Sequence, residues 1–146
     1  MKLVKFKINA VSESPTRTVV SARDFKMVID EPKNLGGDDT GANPVEFLLG
    51  ALSGCLNVVG HMVAKEMGFD FHGMEIDIEG GLNPAKFMGM PSKERTGYQY
   101  IDVKIRPNAN VDEETLTKWV KAVEERCPVS DNIGNATPIS IDLSHK

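Results

Sequence analysis

Two cysteines, Cys55 and Cys127, are the residues of this chain best suited to covalent chemistry. They lie far apart in sequence, so spacing alone does not pair them. Cys55 falls in the middle of a helical pattern, on its apolar stripe, where a free cysteine by residue type alone is an inert small hydrophobe. Cys127 ends a second helical pattern and is followed by Pro128-Val129-Ser130. The exposed N–H groups of a following turn would lie beside its sulfur and lower its pKa. A thiol peroxidase needs a thiolate within reach of a hydroperoxide and a cation or strong donor beside it. It also needs a second sulfur to capture the sulfenic acid. Arg17 and Arg23, at the edges of early strand patterns, are the cations available, and by composition each reads as a solvated strand-edge arginine.

Other chemistries find less support. His61, His72 and His145 show no i, i+4 pair, and neither Cys-x-x-Cys nor His-Glu-x-x-His occurs, which argues against a zinc site. The run Gly36-Gly37-Asp38-Asp39-Thr40-Gly41 superficially suggests a phosphate loop. It lacks the Gly-Lys-Ser/Thr ending and its charge repels phosphate, so it reads as a turn, with Lys33, Asp38 and Asp39 as surface residues. The 146 residues suit a single domain with its own core. Their 17 basic and 21 acidic residues give a net charge of −4, with no basic run to hold nucleic acid. No unbroken apolar run reaches membrane-spanning length, and the first residues lack the apolar core of a signal peptide. The expected compartment is the cytoplasm, where two cysteines are free or catalytic rather than a staple.

The elements that must position these residues follow from periodicity. Residues 43–65 form the longest helical pattern, with Asn43 as N-cap and Pro44 at the first helical position. Leu48, Leu52, Cys55, Val59, Met62 and Val63 share one stripe; Gly50, Ser53, Gly54, Asn57, Gly60 and Ala64 lie opposite and are small enough to admit another helix. Both faces are therefore expected to be covered, which makes this the central helix, packed against a two-fold mate. Before it, residues 3–11, 17–22 and 25–30 alternate as three antiparallel strands, with a turn at 12–16 and a Gly- and Asp-rich loop at 31–42. After it, Gly68 ends the helix, residues 72–80 and 99–106 alternate as strands, and 81–97 reads as a long loop or flap. Residues 112–126 form the second long helix, capped by Asp112, with Leu116, Trp119, Val120 and Val123 inward. Residues 128–133 start a short third helix, and 139–143 read as a last strand. Six strands grouped apart from two long helices make an α+β fold.

Two stretches carry a resemblance. Residues 30–55 hold Asn43-Pro-x-Glu-x-Leu-x-x-Ala-x-x-x-Cys55, and residues 125–133 hold Cys127-Pro-Val-Ser. With the order of elements around them, they resemble the OsmC/Ohr family of thiol-dependent hydroperoxide reductases, in its general OsmC-like branch. The resemblance implies antiparallel sheets around a central Cys-bearing helix in an intertwined homodimer, with active sites at the subunit interface. It makes Cys55 the peroxidatic cysteine and Cys127 the resolving one, joined in a Cys55–Cys127 disulfide during turnover. It assigns Arg17 to the thiolate. It implies no bound cofactor, a small organic hydroperoxide as substrate and an external dithiol reductant of lipoyl type. The family's glutamate, ten residues before the cysteine, is Val45 here, and Glu46 stands one residue later. On a straight helix Glu46 would lie about 180° around and about 13 Å along from Cys55, so it serves the thiol only through an irregular first turn or from the partner chain. The alternative for Glu46 is an acidic first-turn residue favoured by the helix dipole. The expected function is organic hydroperoxide reduction in oxidative and osmotic stress defence. The rivals are a non-enzymatic dimer that binds a small apolar ligand or senses redox state, and acyl transfer through Cys55.

Overall fold

The computed structural model describes residues 1–145. It holds five strands, three α-helices and a short 3-10 turn: β1 (Asn9–Ser12), β2 (Thr18–Ala22), β3 (Phe25–Ile29), the turn Lys33–Leu35, α1 (Pro44–Met67), β4 (Phe71–Gly81), β5 (Tyr100–Ala109), α2 (Glu113–Arg126) and α3 (Pro128–Gly134). The architecture is the expected α+β one. The chain divides into two compact units, Met1–Gly50 and the remainder from Ala51 onward.

The first unit is a three-stranded antiparallel meander, β1-β2-β3, with Val19 opposite both Val11 and Val28. Its opening strand is shorter than the alternation of residues 3–11 predicts. Pairing begins at Asn9, and Leu3, Val4, Phe6 and Ile8 stay exposed because no strand in the unit lies beside them. The loop into α1 is fixed by Asp30, a fully buried carboxylate. It accepts from Glu31 N–H (2.8 Å), Thr40 N–H (3.1 Å) and the Thr40 hydroxyl (2.7 Å). These donors, the Thr40 hydroxyl foremost, hold the Asp30 carboxyl well below the usual carboxylate range. Lys33, Asp38 and Asp39 lie on the surface.

The second unit packs α1 and α2 with the antiparallel β4-β5 hairpin. Its core is Leu52, Leu56, Val59, Val63 and Ala64 of α1 with Trp119 and Val123 of α2 and Cys127. The buried stripe of α1 is thus turned from the predicted one: Leu56 and Gly60 are inside, while Leu48 and Met62 face out. Gly60 explains the rotation. The Trp119 indole N–H donates to the Gly60 carbonyl at 2.9 Å, and a Cβ on Gly60 would come within 3.0 Å of the Trp119 ring. Of the predicted small face only Gly60 and Ala64 are buried, Gly60 against Trp119 of α2, while Gly50, Gly54 and Asn57 are exposed.

α1 ends at Gly68, in the left-handed conformation (φ 76°), and α2 begins with the Asp112 carboxylate accepting from Thr115 N–H at 2.7 Å. The β4-β5 register slips between Phe71 and Met74, opposite Pro107, a residue with no N–H to give the ladder. Residues 82–99 carry no helix or strand, as the irregular pattern predicts. The last strand, 139–143, does not form; Ile139, Ile141 and Leu143 are exposed and unpaired to any sheet. By length and composition α1 would also suffice to cross a membrane, its most apolar stretch averaging a hydropathy of 1.7 with a third of it buried. A search for an unbroken apolar run misses this, because glycine, serine and asparagine interrupt the stretch.

Candidate active site: a paired-thiol centre

The second unit brings Cys55 and Cys127 together. Cys55 is carried by α1 and sits half-buried at the edge of the core. Cys127 is the hinge between α2 and α3, C-cap of one and N-cap of the next, with extended backbone (φ −83°, ψ 107°). Pro128 ends α2 by disfavouring helix at the residue before it, and starts α3, where its missing N–H costs nothing. The Ser130 N–H then points back and donates to the Cys127 sulfur at 3.4 Å. Cys127 is 1% exposed, so this donor reaches a thiol shielded from water.

The two thiols are near enough for each to shift the acidity of the other, and the Val129 backbone N–H acts on both. Their acidities separate. Burial pushes the Cys55 thiol up, and the neighbouring Cys127 adds to that, with the Val129 N–H opposing. Burial also acts on Cys127, but Ser130, the Cys55 thiol and Val129 outweigh it and draw its pKa below that of an ordinary thiol. Of the two, the buried Cys127 is the more acidic thiol. Sequence reasoning anticipated the donors beside Cys127 from Cys-Pro-Val-Ser; the upward shift of the Cys55 thiol depends on tertiary contact.

Arg17, Arg23 and Glu46 belong to the first unit. The turn before β2 shapes the surroundings of Arg17: Glu13 and Ser14 donate their N–H groups to the Arg17 carbonyl (2.9 and 3.3 Å), and Arg17 N–H donates to Ser14 Oγ (2.9 Å). Arg17 Nε stands 3.1 Å from Glu13 Oε2, an ion pair whose alignment leaves this buried Nε without a hydrogen bond. Glu31 Oε2 is likewise buried without one. Both residues lie just beyond the same end of the β2-β3 ladder, where Thr18 pairs with Ile29. Arg23 occupies the β2-β3 turn in a left-handed conformation (φ 55°), its guanidinium 5.2 Å over the Phe25 ring.

Glu46 has a structural task. Asn43 N–H donates to Glu46 Oε2 (2.8 Å), and Glu46 N–H donates to Asn43 Oδ1 (2.9 Å), a reciprocal capping box that starts α1. The Asn43-x-x-Glu46 spacing carried that signal, which a reading of Glu46 through the helix dipole alone overlooks. Among the described residues no group of three His, Cys, Asp or Glu side chains is placed to hold a metal ion.

Comparison with known proteins agrees with this architecture. An OsmC-like protein from Mycoplasma pneumoniae superposes with a TM-score of 0.77 at 18% identity, over 90% of this chain and 88% of that one. An organic hydroperoxide resistance protein from Elizabethkingia anophelis gives 0.65 at 19%, over 89% and 88%. One from Legionella pneumophila gives 0.66 at 19%, over 91% of each chain. These identities establish a shared fold. No protein of curated function matches the chain. Residues 36–142 match the family described as OsmC-like protein. That span includes both cysteines, the helix that carries Cys55 and the capped turn that carries Cys127, and so the chain belongs to the OsmC-like family, within the OsmC/Ohr group.

Proposed function

We propose that this protein is a thiol-dependent peroxidase that reduces organic hydroperoxides. Membership of the OsmC/Ohr group supports a stress-related redox role, and two structural neighbours are organic hydroperoxide resistance proteins. The observation that carries the finer reading is the neighbouring pair of free thiols, one half-open and the other buried on the Ser130 backbone donor.

In this cycle Cys55 attacks the hydroperoxide. Its sulfur bonds to the distal oxygen as the O–O bond breaks, its proton passes to Cys127, and the alcohol leaves after taking a proton back. Cys127, again a thiolate, then attacks the Cys55 sulfenic acid, forming the Cys55–Cys127 disulfide, and the departing hydroxide takes a proton from solvent to leave as water. An external dithiol, of lipoyl type, restores both thiols by exchange. Arg17 is assigned to the Cys55 thiolate as it forms, and Glu46 to the start of the helix that carries Cys55.

We assign the working form to a homodimer in the cytoplasm, acting on small hydroperoxides, with neither membrane nor nucleic acid as partner. Support for the dimer comes from α1, whose Val58 and Met62 are 58% and 47% exposed, and from the exposed Leu3, Phe6, Ile139 and Ile141. One observation favours a non-enzymatic redox-sensing reading: Arg17 is ion-paired to Glu13 and Glu46 is held in its capping box.

The deciding experiment is intact mass under non-reducing conditions after one equivalent of cumene hydroperoxide, with peptide mapping. Loss of two mass units per chain, mapped to Cys55 and Cys127, is the expected result. Unchanged mass removes the peroxidase and leaves the binding reading.

A further inference from the structure

The last turn of α2 reaches Cys127 with little to hold it from inside. Glu124, Glu125 and Arg126 are all exposed, and between Val123 and Cys127 no α2 side chain enters the core. Pro128 has no N–H, so the helical bonding of α2 cannot continue past Cys127. Arg126, the residue directly before Cys127, supplies a tie from outside. Its Nη1 and Nη2 donate to the two carboxylate oxygens of Glu66, the second bond at 3.0 Å. These bonds hold the Glu66 carboxyl below the usual glutamate range, so both side chains are charged at neutral pH. Glu66 belongs to the last turn of α1, the helix that carries Cys55. The fork therefore joins the backbone step before one sulfur to the helix that carries the other.

We propose that Glu66 and Arg126 are positioning residues for the thiol pair: their two-pronged ion pair holds the Cys127 hinge to α1, so that the Cys127 sulfur closes on Cys55 in preference to an outside thiol. As a role in the resolving step it rests on the peroxidase reading. Fixing the hinge in advance raises the effective concentration of one sulfur at the other. Two parallel N–H···O bonds also define an orientation, which a single-point contact from lysine does not. Arg126 and Glu66 are 40% and 57% exposed, so the effect is modest. It is about three- to five-fold in effective concentration and shrinks as salt rises.

The test is the redox equilibrium of the full chain with reduced and oxidised glutathione, at neutral pH and low salt. Exchange with one oxidised glutathione turns the two thiols into the Cys55–Cys127 disulfide and releases two reduced glutathiones, with no hydroperoxide involved. Glu66→Gln and Arg126→Gln should each lower the effective concentration about three- to five-fold, and the double variant no further. High salt should bring the native chain to the same level. Glu114→Gln, which breaks the Lys118–Glu114 surface pair of the same helix, should leave it unchanged. The double variant keeps the local charge balance, so in a Cys55→Ser background its Cys127 thiolate should titrate as without it. The proposal is overturned if the single variants match the native chain, or if Glu114→Gln falls as far. A thiolate titration that shifts in the double variant overturns it too, by assigning the effect to charge. The two readings fail separately: the expected glutathione result with thiols inert to hydroperoxide removes the peroxidase alone, and thiols that react while the variants match the native chain remove the positioning role alone.

Discussion

Ser130 N–H donates to the Cys127 sulfur at 3.4 Å, so the buried member of the thiol pair occupies the position where negative charge is best held. The resemblance that assigns attack to Cys55 suggests that Cys55 is also the acidic thiol. The geometry separates the two properties, giving access to Cys55 and acidity to Cys127.

This separation is measurable by thiolate absorbance at 240 nm across pH. Cys55→Ser should retain a thiolate that titrates below the ordinary thiol value of about 8.5, although losing the Cys55 donor weakens the effect. Cys127→Ser should leave one thiol titrating above that value, because burial still acts on Cys55. The opposite pattern would assign the charge to Cys55.

The two variants should also oxidise differently. With hydroperoxide in excess, Cys127→Ser is expected to gain one oxygen at Cys55 and then a second, because no sulfur captures the sulfenic acid. Cys55→Ser should react at least tenfold more slowly than the native chain, since its remaining thiol is 1% exposed. Mass spectrometry over time reads both, and equal rates would remove Cys55 from the attacking role.

Packing against Gly60 offers a test of the second unit. In Gly60→Ala the new methyl would press on the flexible end of Met74, which can move, and on the Trp119 ring, which is hydrogen-bonded to the Gly60 carbonyl. The expected loss is about 1–3 kcal/mol. Trp119→Ala should cost more, about 3–5 kcal/mol. Urea denaturation measures both, and a neutral Gly60→Ala would mean that α2 shifts away freely.

Asp30 predicts a pH dependence in the first unit. Its pKa is lower folded than unfolded, so its ionised form contributes stability that is complete above the unfolded value of about 3.9. That contribution is lost as pH falls from about 4 toward the folded value. Asp30→Asn should therefore weaken amide protection in residues 30–42 at neutral pH, and its difference from the native chain should narrow only in acid. Hydrogen exchange resolved by residue checks this; a difference that persists unchanged in acid would assign the effect to shape rather than charge.

Much of this was readable in advance, and particular residues show why. Asn43, Pro44, Gly68, Asp112 and Pro128 act through backbone geometry within a few residues, so the ends of the helices followed from local chemistry. Cys-Pro-Val-Ser forecast the donors beside Cys127 in the same way. The face of α1 that is buried did not follow, because Gly60 is inside only through Trp119, a residue distant in sequence. Residues 3–8 and 139–143 alternate as strands do, yet alternation records a preference and supplies no neighbour to pair with.

The β4-β5 hairpin has a consequence of another kind. At its open end Gly80 and Gly81 leave room for two rings: a Cβ on Gly80 would come within 2.6 Å of Tyr98, and one on Gly81 would meet Tyr100. Gln99 N–H closes the mouth on the Gly81 carbonyl at 2.7 Å. The register is therefore locked at the base of residues 82–99 and owes little to what lies between. Doubling the length of such a span costs only about 0.6 kcal/mol in closure entropy. This is where the chain can absorb inserted or exchanged sequence, a tag or a reporter peptide, while the strands beneath keep their alignment.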